Sequence, residues 1–112
     1  MIIKEPSDYL APLLSKIKAD EKVKMFSYET WYRYMFPYIP YRTGALASTY
    51  HIDNEGIHFT VPYAAYQYFG DGFNFSKEMH PLAQAHWGQA ALDYHGQAIA
   101  DEIKEFIIRS EL

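Results

Sequence analysis

No cysteine occurs among the 112 residues. Disulfide scaffolds, thiolate zinc sites and thiol nucleophiles are therefore excluded at the outset. No apolar run approaches the roughly 20 residues of a membrane span, and Met1 to Pro6 lacks the apolar stretch of a signal peptide. Cations are scarce: ten Lys and Arg stand against fourteen Asp and Glu, a formal charge of -4. A protein that grips nucleic acid needs clustered cations to neutralise phosphates, so tight nucleic-acid binding is not expected. The length fits one domain, burying roughly two-thirds of the surface its unfolded chain would expose. A soluble protein of a reducing compartment is the default expectation, with no membrane partner.

What the chain has in excess is rings. Aromatics make up 18%, as eleven Tyr, seven Phe and two Trp. Eight of the sixteen residues from Phe26 to Tyr41 are aromatic: Phe26, Tyr28, Trp31, Tyr32, Tyr34, Phe36, Tyr38 and Tyr41. A second group comprises Tyr63, Tyr66, Tyr68, Phe69, Phe73 and Phe75. Tyr and Trp favour sites that are dry at one end and hydrogen-bonded or wet at the other. Two readings stay open: the rings fill the core in place of aliphatics, or they make a partner surface. So small a domain can sheathe only some of them, so each reading holds in part.

The pattern predicts an α+β fold. An N-terminal helical region and a long C-terminal helix pack on a small antiparallel sheet. Residues 8–35 read as helical, with Leu10, Leu14 and Ile17 on one stripe and Ser7 or Asp8 as cap. Lys16 to Lys24 is a mixed-charge, solvated face, and one bent helix or two both fit. Pro37 and Pro40 end this region, because each disfavours helix in the residue before it. The hairpin spans 48–61 around Asp53-Asn54-Glu55-Gly56. It pairs Ile52 with Ile57, Tyr50 with Phe59 and Ser48 with Val61 on an apolar face. His51 and His58, with Thr49 and Thr60, occupy the polar face. Tyr63 to Tyr68 fits a helical turn or a short strand. Residues 69–79 read as an exposed aromatic loop containing Gly70 and Gly72. The last helix runs 81–109 with Pro81 at its first position. Its stripe is Leu92, Ile99, Ile103 and Phe106, with Asp101, Glu102 and Glu105 facing water.

Chemistry is sparse. His80, His86 and His95 are six and nine residues apart and do not stack on one helix face, whereas helical zinc ligands sit three or four apart. His51 and His58 are neighbours across the hairpin and suit a weak metal site, but no third ligand is evident. Alternation separates Ser48 from His51, which removes a nucleophile–base pair. Gly70-Asp71-Gly72 lacks the third glycine and lysine of a phosphate loop. No catalytic residue, cofactor site or metal site is assigned, and the chain is expected not to be an enzyme.

Three segments carry a resemblance. Pro40-Tyr41-Arg42-Thr43-Gly44-Ala45-Leu46 resembles the P-x-x-T-G-x-L-x-x-S turn of tailed-bacteriophage minor capsid proteins, with Thr49 at the final position and Ser48 one residue early. Val61-Pro62-Tyr63-Ala64-Ala65-Tyr66-Gln67-Tyr68-Phe69-Gly70 is similar to that family's P-Y-A-x-x-Q-Y-x-G segment. His80-Pro81-Leu82-Ala83, followed by His86-Trp87, resembles its H-P-L-A … W lead into the last helix. The likeness covers residues 36–100 and fades before Phe26. It implies a non-enzymatic virion structural protein of the neck or head–tail joining type. Such a protein forms a ring with copies of itself and contacts neighbouring neck, portal or tail proteins. The implied location is the virion, with host cytoplasm during assembly, or a prophage-encoded origin. Under this reading the candidate interface residues are Arg42, Thr43, Gly44, Tyr63, Tyr66, Phe69, Phe73 and Phe75. Two rivals from other classes remain open. One is an aromatic-rich ligand- or carbohydrate-binding module, the other a small metal-dependent enzyme using His51 and His58.

Overall fold

A computed structural model describes residues 1–4, 8–41, 44–71, 73 and 75–110. The chain is α+β, with 60% helix and a three-stranded antiparallel sheet. Strand β1 (Ile2–Ile3) opens the chain, and a 3-10 segment at Asp8–Leu13 contains Pro12. Helices α1 (Leu14–Ala19) and α2 (Glu21–Met35) follow. They are two helices rather than one, because Asp20 is extended at φ −132° and ψ 117°. Its carboxylate accepts the Lys22 N–H at 2.8 Å and the Val23 N–H at 3.4 Å, capping α2. The cap expected from Ser7 or Asp8 falls outside the described residues and side chains. Pro37 lies in a 3-10 turn, Phe36–Tyr38, that ends α2.

Helix α3 (Ala45–Ser48) precedes the hairpin of β2 (Tyr50–Asp53) and β3 (Gly56–Phe59). The expected register is present: Tyr50 opposes Phe59, His51 opposes His58 and Ile52 opposes Ile57. The expected Ser48–Val61 pair is not. Ser48 completes the helical turn, and its hydroxyl donates to the Gly44 carbonyl at 2.5 Å. The ladder runs on only as far as Thr60 N–H to Thr49 O. The sequence reading missed β1, which pairs Ile2 with His58 and Ile3 with Ile57, so the order is β1-β3-β2. Two β-branched residues are too short a run to announce a strand. Gly56 admits β1 to the sheet: a Cβ there would lie 2.4 Å from the Ile3 carbonyl oxygen, and its φ is +148°.

After α4 (Ala64–Tyr68) and an irregular stretch, α5 (Trp87–Ser110) closes the chain. It begins at Trp87 rather than Pro81. Pro81 stands instead second in a turn whose Ala83 N–H donates to the His80 carbonyl, and its fixed φ suits that place as well as a first helical position. His86, at φ 51°, blocks helix until Trp87. Backbone donors that a helix would use internally go elsewhere: Gln84 N–H to Tyr38 O and His86 N–H to Tyr68 O.

The core lies between α2, α5 and the inner sheet face. Trp31, Met35, Ile57, Phe59, Trp87, Leu92, Ile99 and Ile103 are buried there. Trp31 Nε1 donates to the Gly88 carbonyl at 2.9 Å, and Phe26 stacks on Phe106 with centroids 4.2 Å apart. Tyr32 stacks on Tyr50 at 3.9 Å and donates its hydroxyl to Ala47 O. Burial first, then the neighbouring Tyr50, pushes its phenol above the ordinary value. Glu102 does not simply face water. It is half-buried and binds Arg33 and Tyr34, each at 2.5 Å, linking α5 to α2.

Candidate partner-binding surface

The two aromatic groups meet different fates. In the first, Tyr28, Trp31 and Tyr38 are buried, and Phe26, Tyr32, Tyr34 and Tyr41 pack partly buried against them. The second group is mostly outside. Helix α4 divides its residues by helical spacing: Ala64 and Tyr68, four apart, face inward, with Tyr68 edge-on to Trp87 at 4.6 Å. Tyr63 and Tyr66 project from the opposite side, and Tyr66 is 71% exposed. Phe69, 64% exposed, follows immediately.

The exposed loop is shaped by its own rings. Phe73 folds over Gly70, where any Cβ would collide with its ring at 2.2 Å, and its N–H donates to the Gly70 carbonyl. Tyr66 meets Phe73 at 5.0 Å, and Phe73 meets Phe75 at 6.0 Å. Phe69 lies edge-on to His86 at 5.5 Å, and His86 pairs with Asp71 at 3.1 Å. Met79 and Leu82 add exposed apolar surface that the sequence reading did not select. Tyr66, Phe73 and Phe75 thus form one run of ring contacts, and Phe69 with His86 another. A cleft of ≈ 240 Å³ beside them is lined by Gly70, Phe73, Phe75 and Lys77 among others. Asp71 and Lys77 are the ionisable groups lining it, and the Lys77 ammonium is already bonded to the Ala83 carbonyl.

The other candidate segment behaves differently. Gly44 is buried, with φ +86° and Tyr41 packed over it, so it serves the turn into α3 and presents no side chain. Arg42 and Thr43, and with them the cap expected of Thr43, lie outside the described residues, as does Gly72 of the loop.

On the outer sheet face His51 stacks on His58, centroids 4.3 Å apart and planes 10° from parallel. Both direct Nε2 at Asp53, His58 to Oδ1 at 2.8 Å and His51 to Oδ2 at 4.0 Å. Asp53 is the third ligand-type residue that sequence reasoning missed. The signal was available: residues 51 and 53 share a strand face, but Asp53 was assigned wholly to the turn. The hydrogen bond from His58 is the largest influence holding its carboxyl below the usual range.

Residues 14–107 match the family described as minor capsid protein. The chain belongs to this family. The match reaches twelve residues further toward the N-terminus than Phe26, so α1 and α2 are part of the shared unit. No curated protein and no solved structure matches. Membership makes the chain a structural, non-enzymatic kind of protein of the phage particle, one that contacts other virion proteins.

Proposed function

We propose that this minor capsid protein is a neck component that joins head to tail as an oligomeric ring between portal and tail. The carrying observation is the exposure of Tyr63, Tyr66, Phe69 and Phe73 within one short stretch of chain, with Tyr66 in ring contact with Phe73. Contiguous apolar rings of this kind are rare on monomers and typical of interface cores, where Tyr and Phe supply area at low conformational cost. These side chains contact either the next copy in the ring or a portal or tail neighbour. The elongated body, 46 × 24 × 20 Å, suits a subunit set side by side with others.

The test substitutes Tyr66→Ser and Phe69→Ser together. Both side chains are mainly in solvent, so the unfolding temperature should stay within a degree or two of wild type. Ring formation by negative-stain microscopy, and co-assembly with the portal and tail proteins of the same phage, should be lost. Assembly that survives the double substitution removes these side chains from the interface.

A further inference from the structure

We propose that His51, Asp53 and His58 form a binding site for one divalent transition-metal ion of the zinc class, on the outer face of the hairpin. The proposal stands apart from the neck assignment. Two imidazole nitrogens and a carboxylate oxygen lie within 4.8 Å of one another, and the stacked rings tilt toward a shared ion by rotation about their Cβ–Cγ bonds. Two imidazoles and one carboxylate make a ligand set that zinc and its borderline neighbours accept, leaving further positions open. Around a tetrahedral zinc with bonds of about 2.0–2.1 Å, neighbouring ligand atoms stand about 3.3 Å apart. His58 Nε2 stands 2.8 Å from Asp53 Oδ1 and His51 Nε2 stands 4.0 Å from Asp53 Oδ2, one on either side of that value. The ligand atoms, held within 4.8 Å of one another, reach that spacing by side-chain rotations that shift an atom by at most about 1.5 Å.

The scaffold is as favourable as the ligands. His51 and His58 are directly opposed across paired strands, so backbone hydrogen bonds fix their separation before any ion arrives. The Glu55 N–H donates to Asp53 Oδ1 at 2.8 Å, orienting the carboxylate in the way that outer hydrogen bonds orient metal ligands. The His58 side chain is 15% exposed and His51 is 58% exposed. The ion would thus be seated against the sheet on one side and open on the other, where water or a donor from a neighbouring virion protein completes its shell. Ligation uses the Nε2 lone pair of each imidazole, so a proton on either nitrogen must leave it before the ion binds.

Calorimetric titration of the untagged chain with zinc chloride tests the site, with cobalt(II) absorption as a second readout of nitrogen and oxygen ligation. One ion per chain is expected, with a metal-dependent rise in unfolding temperature. His51→Ala, at a largely exposed position, should leave the apo fold intact and weaken binding by about 10- to 100-fold or more. Asp53→Asn and His58→Ala should do the same, with circular dichroism monitoring their fold. Glu55→Gln, which removes a nearby carboxylate outside the ligand set, should bind like wild type. Absence of saturable binding, or binding equal in wild type and His51→Ala, would overturn the proposal.

Discussion

Trp31 and Trp87 are both buried, yet their indole N–H groups are treated oppositely. Trp31 Nε1 donates to Gly88 O, whereas Trp87 Nε1 has no partner among the described residues. Removing a bonded donor strands its acceptor, but removing an unbonded one relieves a buried cost of about 1–3 kcal/mol. Trp31→Phe should therefore destabilise more than Trp87→Phe, although Trp87 is the more deeply packed; urea midpoints of the two variants decide this. Glu102 gives a second residue-scale expectation. The Tyr34 hydroxyl, then Arg33, hold its carboxyl below the ordinary glutamate value. A carboxyl lowered in the folded state stabilises fully above its unfolded value and ceases to do so as pH falls through the folded one. Wild type should thus lose stability relative to Glu102→Gln on acidification below the ordinary glutamate range. The difference at neutral pH should stay within about 1 kcal/mol, because the pair is partly solvated. Equal acid sensitivity in the two proteins would deny Glu102 this part.

Among the elements, β1 depends most on a single distant residue. It joins the sheet only because Gly56 leaves room for the Ile3 carbonyl and adopts φ +148°. Gly56→Ala adds both a clash and a strained backbone, each of the order of 1–3 kcal/mol. The expected result is a detached β1: in hydrogen exchange, the Phe59 N–H, which donates to Met1 O, should lose protection while α2 and α5 keep theirs. Elements whose cause is local were legible in advance. The hairpin register followed from matching Ile52 with Ile57 and Tyr50 with Phe59, since a shift of one residue would turn both pairs outward. The stripe through Leu92, Ile99 and Ile103 likewise marked α5. Its first turn was misplaced because Pro81 suits a β-turn as well as a helix start. What separates the two is the capture of backbone donors by Tyr38 and Tyr68, residues far away in sequence.

At the scale of the whole molecule, an acidic body is joined to an exposed aromatic segment. Under the proposed neck role, a ring that DNA traverses gains from a lumen that does not retain phosphates, since each cation contact slows release. With a formal charge of -4, the chain should give no saturable complex with duplex DNA in a fluorescence-anisotropy titration at physiological salt. A tight complex would contradict a lumen built for passage. Self-association at neutral pH would then be governed by apolar contact, so raising salt should strengthen it rather than disperse it.

The sequence by itself determined the class of elements, the strand register, the abundance of rings and the absence of thiol chemistry, because period, turn residues and composition act over a few neighbouring positions. It could not apportion the rings. Trp31 and Tyr66 belong to equally aromatic stretches, and only the docking of α2 on α5 buried one while α4 turned the other outward. Strand alternation already put Asp53 on the face of His51, but only the folded hairpin brings its carboxylate within reach of both histidines. Those outcomes depend on which surfaces come together in three dimensions, and burial is a property of the packed assembly of elements rather than of any one of them.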